Sequence, residues 1–276
     1  FRDLYEATTE ALSRGLENPL EKPALIDQSA DAARQILNGV LAADDIDSVF
    51  SILPGEYFLR HDADEIAWHV TELHQNGLEQ SLVAVKPNSE HSSVAIMLYT
   101  PHIQHTFAAA TATLDQLGFS VLDARLEPLA NPYSLDTYIV VEDGGGDVSD
   151  ERVDDLRSRL AFIPAQPNTT PPKVSRMPAR RQKMFDTDTR LRFRADETGG
   201  RTIMEVTCAD HPGLLLTVGK ALIQCNVYIN AAKIVTIGER AEDVFYLTDA
   251  KEKPLTEAQC EQLRETLLGA LESAHA

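Results

Sequence analysis

Long apolar segments are absent from this chain of 276 residues. No run approaches the roughly 20 apolar residues that a membrane-spanning helix needs, and the first residues lack the basic and apolar regions of a secretory signal. The sequence therefore predicts a soluble protein with no membrane partner, and the cytoplasm is its expected location.

Cysteine is scarce, and its positions exclude two kinds of cross-link. The three cysteines, Cys208, Cys225 and Cys260, are an odd number and lack the paired spacing of zinc ligands. We therefore expect neither a disulfide framework nor a zinc site, and a reducing compartment fits this usage best.

Positive charge is in short supply, with 25 lysines and arginines against 43 aspartates and glutamates. The net charge of -18 would repel a phosphate backbone, so nucleic acid is not an expected partner. One segment differs, because residues 173–194 hold eight basic residues against Asp186 and Asp188, a balance of 8 - 2 = +6. A solvated linker with basic strand edges explains this run, and an acidic partner surface is the alternative.

The first 80 residues show a helical pattern broken by turn signals. Ile66, Val70 and Leu73 recur at i, i+4 and i+7, and Pro54-Gly55 is typical of a turn. The opening residues Phe1 to Tyr5 are typical of a helix interior, so we expect the chain to begin partway through a larger protein. These residues predict short connecting helices rather than an enzyme core.

An internal repeat is the most informative pattern in the sequence. Its offset is 191 - 83 = 108 residues, with a slip of one residue near its end. Three aligned pairs illustrate it: Val83 with Leu191, Ala124-Arg125-Leu126 with Ala232-Lys233-Ile234, and Asp136-Thr137-Tyr138 with Asp243-Val244-Phe245. The chain therefore contains two copies of one domain.

Each copy predicts the order strand, strand, helix, strand, strand, helix. The ferredoxin-like order ends on a strand that lies beside the first. We expect the leading strands, Ser81 to Lys86 and Thr189 to Ala195, to fill that edge position. The predicted fold class is therefore α+β, with two ferredoxin-like domains that carry a permuted edge strand and follow a helical segment.

These patterns divide the chain into four segments. Residues 1–80 form the helical connecting segment, 81–162 the first domain, 163–188 a proline-rich and basic linker, and 189–276 the second domain. The linker is expected to be extended and stiff where proline is frequent.

The segment Asp210-His211-Pro212-Gly213-Leu214 joins a predicted strand to a helix that we expect to begin at Pro212. Asp210 would accept hydrogen bonds from amides at the helix start, Pro212 would fix the first-turn dihedral angle, and Gly213 would let a ligand approach the backbone. A helix N-terminus favours a carboxylate, such as that of an amino acid. A plain capped helix start explains the same residues, so both interpretations stay open from the loop alone.

This strand, loop and helix resemble an ACT domain, a family whose Asp-x-Pro-Gly-Leu loop binds amino acids, often at an interface between two such domains. Further strings resemble the C-terminal part of the bifunctional uridylyltransferase/uridylyl-removing enzymes, which modify the PII nitrogen-signalling protein. These strings are Glu56-Tyr57-Phe58-Leu59-Arg60-His61, Ile66-Ala67-Trp68-His69, Leu135-Asp136-Thr137-Tyr138-Ile139-Val140 and residues 232–245.

The resemblance implies a regulatory region that senses glutamine and controls the balance between uridylylation and deuridylylation of PII. The family's nucleotidyltransferase and HD hydrolase domains lie N-terminal to the matched region. These two domains are expected partners of this chain, and Mg²⁺ or Mn²⁺ is expected in them rather than in this chain. We therefore predict no catalytic residue, metal site or cofactor in this chain, although the full-length parent would be an enzyme.

The resemblance also separates the two loops. The first copy has His102, Ile103, Gln104 and His105 where the second has Asp210 to Gly213, so it either binds weakly or lends a wall to the second site. The predicted ligand residues are therefore Asp210, His211, Pro212, Gly213 and Leu214, with Asn226 as a polar contact across such an interface. An ordinary turn asparagine explains Asn226 equally well.

His61-Asp62 could be mistaken for the metal-binding pair of an HD hydrolase. Asp62 is followed three residues later by Glu65 and then by the Ile66 face, which is the spacing of a helix-capping box. We therefore interpret the pair as structural.

Two other functions remain open at this point. The repeats could form a module for self-association or for docking PII without binding a small molecule. They could also be the amino-acid sensor of another metabolic enzyme, such as a dehydrogenase or an alarmone synthetase.

Overall fold

The computed structural model describes residues 22–88, 92–165, 188–196, 199–237 and 240–275. The chain divides into two compact units, one ending at Gln80 and including Leu129–Asn131, and one formed by the rest from Ser81 onward. The predicted opening helix and most of the predicted linker, residues 166–187, lie outside the described residues.

Within the described ranges, no helix has both the length and the apolar content that crossing a membrane requires.

The first unit is helical. From Lys22 onward its helices are α1 (Lys22–Leu37), α2 (Ala43–Phe50), α3 (Tyr57–Arg60) and α4 (Ala63–Asn76). The predicted apolar face of α4 is fully buried at Ile66, Val70 and Leu73. Burial of such a stripe against neighbouring helices, rather than helix propensity, holds short helices in place.

The start of α4 confirms the structural interpretation of His61-Asp62. A carboxylate oxygen of Asp62 accepts a hydrogen bond from the amide of Glu65 at 2.8 Å, so Asp62 caps the helix. His61 Nδ1 lies 3.0 Å from the carbonyl oxygen of Tyr57. Among the residues that the structure describes, no group of three His, Cys, Asp or Glu side chains is arranged to hold a metal ion.

The second unit contains both repeats. The first repeat consists of β1 (Leu82–Asn88), β2 (Ser93–Pro101), α5 (Thr106–Gln116), β3 (Phe119–Pro128), β4 (Tyr133–Glu142), α6 (Asp150–Leu160) and the short α7 (Phe162–Ala165). The second consists of β5 (Arg190–Asp196), β6 (Arg201–Ala209), α8 (Leu214–Gln224), β7 (Tyr228–Lys233), β8 (Thr236–Ile237), β9 (Arg240–Thr248) and α9 (Glu257–His275).

All described strands join one sheet in the order β1-β2-β4-β3-β7-β9-β6-β5, with β8 paired to β9 off this path. The leading strands β1 and β5 lie at the two ends of that order. Each pairs antiparallel with the next strand of its own repeat, as Leu82 with Tyr99 and Leu191 with Val206 show. The predicted permuted edge strand is therefore confirmed in both copies.

Alternation along the strands sends apolar side chains toward the helices. Val94, Ile96 and Leu98 of β2 belong to the same core as Leu114 of α5 and Leu156 of α6. Side chains two apart on a strand point to one face, so these strands place a continuous apolar surface beneath the helices.

Contacts between the two repeats include a sheet contact and a helix contact. Ala124 of β3 pairs with Ala232 of β7. Above the sheet, Ala108 and Ala112 of α5 pack against Leu216 of α8. A Cβ atom placed on Gly219 would lie 2.8 Å from the Cβ and 3.1 Å from the Cα of Ala108, so the absence of a side chain at Gly219 lets the helices approach closely.

We expect Gly219→Ala to destabilise the chain by about 1–3 kcal/mol, because the added methyl group meets a rigid neighbour. Gly269→Ala in α9 is the matched control: a Cβ there meets nothing within 4 Å. That control should stabilise the chain by about 0.5–1 kcal/mol, since alanine has the higher helix propensity. Urea unfolding measures both changes, and equal stabilisation by the two variants would contradict the close helix contact.

Candidate functional site

The loop predicted to bind a ligand occupies the expected place, between β6, which ends at Ala209, and α8, which begins at Leu214. Its local geometry differs from the prediction. The N-cap residue is Gly213, with φ 81° and ψ 5°, and no side chain caps the helix. The predictions that Asp210 caps the helix and that the helix begins at Pro212 are therefore wrong.

The physical reason is the left-handed backbone at Gly213. Glycine adopts a positive φ without a steric penalty, so the chain turns once more before the helix starts. The Leu214 amide donates to the carbonyl oxygen of His211 at 3.1 Å, which closes this turn with backbone alone. The Leu214 side chain is buried in the core and anchors the loop.

The second loop faces the first repeat. Burial raises the pKa of Asp210, and the nearby Asp143 carboxylate raises it further, while His211 lowers it. Asp143 follows β4 of the first repeat, where the hydroxyl of Ser120 donates to it at 2.5 Å. Asp210 therefore lies in a partly buried environment to which both repeats contribute a titratable group.

Asn226 lies away from this loop. It follows the C-terminal end of α8, with φ 55°, and its amide donates to the Ile223 carbonyl oxygen at 3.0 Å. An 11-residue helix is roughly 16 Å long, and α8 separates Asn226 from Gly213 by that length. The structure thus brings Asp210 to Leu214 together and places Asn226 at the opposite end of the helix.

The end of α8 instead meets the loop of the first repeat. The side-chain amide of Gln104 donates to the carbonyl oxygen of Val227 at 2.9 Å. The rings of His102 and Tyr228 are stacked with centroids 6.5 Å apart. Since Val227 and Tyr228 belong to the second repeat, these contacts also cross between the copies.

A shallow open cleft lies at this contact. Both repeats line it, and its polar side chains are those of His102, Gln104, Thr106, Glu127, Ser134, Asp136 and Tyr228. The sequence directed attention to the second loop because that loop has the recognisable motif. The cleft beneath the first loop depends on a contact between copies that no local pattern records.

Two buried carboxyl groups occupy equivalent positions in the repeats. Asp136 on β4 is 2% exposed and Asp243 on β9 is 1% exposed. One carboxylate oxygen of Asp243 accepts from the amide of Val235 at 3.2 Å. The Oδ2 atom of each has no hydrogen-bond partner in the described part of the chain. Burial is the main reason that the pKa of each is raised to about 7. Hydrogen bonds from Ser134 to Asp136 and from the Val235 amide to Asp243 oppose this rise, and the neighbouring carboxylates of Glu127 and Asp210 add to it.

Sequence reasoning missed these two residues, although a signal was present. The repeat alignment placed Asp136 opposite Asp243 in the middle of a strand. Core-facing strand positions normally hold apolar side chains, and buried carboxyl groups are costly unless they are satisfied. An aspartate in both copies of such a position was therefore an indication of a site.

The remaining titratable groups nearby differ in character. Burial lowers the pKa of His102, while the nearby Glu252 opposes that shift. Burial raises the pKa of Cys208 to about 12, so this thiol stays protonated at neutral pH and is no nucleophile. The chemistry of the described site is therefore that of recognition by carboxyl, amide and imidazole groups.

The described end of the basic segment consists of Arg190, Arg192 and Arg194, all exposed on β5. Arg190 lies 3.4 Å from a carboxylate oxygen of Asp188, and Arg194 lies 3.0 Å from one of Glu205. Local carboxylates thus offset much of this charge, which favours the basic strand edge over an acidic partner surface. Residues 173–187 of the segment lie outside the described ranges.

The buried carboxyl groups predict how stability depends on pH. The folded pKa values of about 7 exceed the unfolded value, so the folded chain holds more protons between about pH 4 and pH 7. The stability that these protonated carboxyl groups contribute is fully present below the unfolded pKa and is lost as the pH rises through the folded pKa. Asp136→Asn and Asp243→Asn should therefore gain stability over wild type near pH 8, each on the order of 4 kcal/mol, with little gain near pH 4.

Denaturant unfolding at both pH values measures this difference. Asp27→Asn is the control, since Asp27 is an exposed helical carboxylate. A gain for Asp136→Asn that does not depend on pH would show that its carboxyl group is ionised in the folded chain across this range.

Comparison with known proteins agrees with this architecture. Residues 21–72 match the family model described as uridylyltransferase GlnD fifth domain. Along 100% of its length the chain is 35% identical to the bifunctional uridylyltransferase/uridylyl-removing enzymes of Pseudomonas entomophila and Pseudomonas putida strain W619. Along 98% of its length it is 36% identical to that of Pseudomonas savastanoi.

The chain spans about a third of the length of these relatives, 32% for the first two and 31% for the third. The helical unit and the repeats both lie within the aligned region, since the alignments cover almost the whole chain. Along almost its whole length the chain is therefore similar to the C-terminal part of the bifunctional uridylyltransferase/uridylyl-removing enzymes.

Proposed function

We propose that this chain is the region of a uridylyltransferase/uridylyl-removing enzyme that senses an amino acid, glutamine, and sets the balance between uridylylation and deuridylylation of PII. One observation carries the proposal: two ACT-like repeats form one sheet, and the loop of each meets the other copy. A ligand bound at such a loop touches both repeats, so it can change how they dock.

Glutamine is the proposed ligand because of the family, and the Asp210 to Leu214 loop supplies the supporting chemistry. The first-turn amides of α8 have no intrahelical acceptor, and the helix dipole favours a carboxylate there. Gly213 in a left-handed conformation leaves the backbone open to a ligand. No catalytic role is proposed for this chain; the parent's nucleotidyltransferase and HD domains would supply the chemistry, with Mg²⁺ or Mn²⁺.

A module that only docks PII or a second copy of the chain is the competing function. It shares the paired sheet, and its edges would be β1 and β5. The buried carboxyl groups beneath both loops favour ligand binding, because a docking surface gains nothing from an unsatisfied buried oxygen.

The test uses the full-length parent enzyme. Gly213→Val places a branched side chain at φ 81°, where it is strained and blocks the approach to the backbone. Asp210→Ala removes the carboxylate from the same loop. Both variants should weaken the response to glutamine and leave the enzyme near its nitrogen-starved setting, since a ligand acts only through differential affinity for two states.

The measurement is the ratio of uridylyl transfer to removal across a glutamine titration. Gly200→Val is the matched control, because Gly200 has φ 63° in a turn of the same repeat and a Cβ there meets nothing within 4 Å. Uridylylation should persist at high glutamine in Gly213→Val and Asp210→Ala but not in Gly200→Val. Overlapping curves for Gly213→Val and wild type would show that this loop is a helix start and nothing more.

A further inference from the structure

The connection between β3 and β4 passes from one compact unit to the other. β3 ends at Pro128 and β4 begins at Tyr133, and both strands belong to the second unit. Between Pro128 and Pro132, residues Leu129–Asn131 belong to the helical first unit. We call this segment the strap. The polypeptide therefore enters the helical unit at the first residue of the strap and leaves it after the last.

Within the helical unit, a backbone hydrogen bond holds the strap. The amide of Ala130 donates to the carbonyl oxygen of Ile52 at 3.0 Å. Ile52 follows α2, and its own amide donates to the carbonyl oxygen of Val49 at 3.2 Å. Val49 is buried in α2, whereas the Ala130 side chain is exposed. Main-chain bonding therefore fixes the middle of the strap to the end of α2.

Within the second unit, the first loop holds the residue that follows the strap. The amide of His102 donates to the carbonyl oxygen of Pro132 at 3.0 Å. Further along this loop, the side-chain amide of Gln104 donates to the carbonyl oxygen of Val227 in the second repeat. A movement of the second repeat that shifts the first loop therefore also shifts Pro132.

The residues at both ends of the strap limit its flexibility. Pro128 precedes the strap and Pro132 follows it. Proline fixes its own φ and restricts the residue before it, so both crossing points have little conformational freedom. Beyond Pro132, the ring of Tyr133 stacks on that of Tyr99, with centroids 4.6 Å apart and an angle of 9° between the planes. A displacement at Pro132 is therefore passed along the chain rather than absorbed by it.

The second repeat makes the same connection differently. After β7, the short strand β8 pairs with β9, as Thr236 with Ala241 shows. The described part of this connection therefore stays on its own sheet. Both repeats have the same strand order within the sheet, so that order does not require the connection to leave it. The excursion of the strap is thus an addition specific to the first repeat.

We propose that the strap is a coupling element, which transmits movements of the inter-repeat contact at Gln104 to the turn after α2 in the helical unit. This rests on the proposed sensing function, in which the state of the repeats must reach catalytic domains N-terminal to the helical unit. A ligand biases a distant site only if the two sites share an element with two arrangements. A stiff segment that is anchored at both ends supplies such a path.

The first test slackens the strap in the full-length parent enzyme. Inserting Gly-Ser-Gly between Asn131 and Pro132 adds flexible chain and leaves every side chain in place. The strap insertion should reduce the glutamine-dependent change in the ratio of uridylyl transfer to removal by about fivefold or more, the size of a typical coupling between sites. The same insertion between Gly145 and Gly146 is the matched control, because both glycines lie in an exposed turn of the same repeat where a Cβ meets nothing within 4 Å. The control should respond as wild type does.

Glutamine binding separates lost coupling from lost structure. Calorimetry on the 276-residue chain should give similar glutamine affinities for wild type and for the strap insertion, since the insertion lies outside the Asp210 to Leu214 loop. A wild-type response of the parent enzyme with the strap insertion overturns the proposal. Loss of glutamine binding together with the response overturns it too, because the connection would then support the fold rather than transmit a signal.

The second test needs no ligand. Hydrogen exchange of the Ile52 amide in the 276-residue chain reports local opening of the turn after α2. Gln104→Ala removes the inter-repeat hydrogen bond and should accelerate this exchange by roughly two- to tenfold, the worth of one hydrogen bond. The acceleration should vanish when Gly-Ser-Gly is inserted into the strap. Gln262→Ala, exposed in α9, is the control and should leave the exchange unchanged.

Together the two tests distinguish failure of the strap from failure of the sensor. Equal exchange in wild type and Gln104→Ala, or an acceleration that persists with the insertion, overturns the coupling role and leaves the sensor standing. The comparison of wild type with Gln104→Ala contains no insertion, so it decides the matter even where the inserted chain fails to fold. Absence of glutamine binding by wild type rejects the sensor, and the exchange measurement then decides on the strap alone.

Discussion

The close contact between α5 and α8 at Ala108 and Gly219 is the constraint on which the paired architecture depends. The pairing of Ala124 with Ala232 joins the two halves of the sheet, and the helices above it lie close together at Ala108 and Gly219. Larger side chains at these helix positions would hold the helices apart. Small residues at these helix positions therefore help to hold the two repeats together, whereas extended strand pairing holds each repeat together.

Most of the fold follows from local and repeated patterns. The permuted edge strand was predictable because a turn joins each leading strand to its neighbour and alternation assigns a face to each side chain. The capping role of Asp62 was predictable because a capping box lies within four residues. The start of α8 was not predictable, because Asp210 and Pro212 are residues typical of a helix start. The left-handed turn at Gly213 makes the helix begin later, at Leu214.

The candidate site was predictable only in part, for a different reason. The Asp210 to Leu214 loop is contiguous, so its chemistry is visible in the sequence. The cleft is made by Gln104 and Val227, which are 123 residues apart, and such a contact has no local signature. Asp136 was visible in the repeat alignment, but only burial turns an aspartate in a strand into a carboxyl group with a raised pKa.

The two loops lie at opposite ends of one helix pair. The start of α5 adjoins the end of α8 through the hydrogen bond from Gln104 to Val227. At the other end, the Asp210 loop at the start of α8 lies near Asp143. The amide of Asp143 donates to the carbonyl oxygen of Gly118, which lies just beyond the end of α5. The helices are therefore antiparallel, and each end carries a carboxyl group that is hard to ionise. Between these ends, the contact at Gly219 leaves almost no space for adjustment. A tightly packed contact shifts between discrete arrangements rather than deforming smoothly. A change of charge at one end of the helix pair that moves a helix must therefore change the distance between the loop and the partner repeat at the other end. This gives the paired repeats a physical route for coupling their two ends.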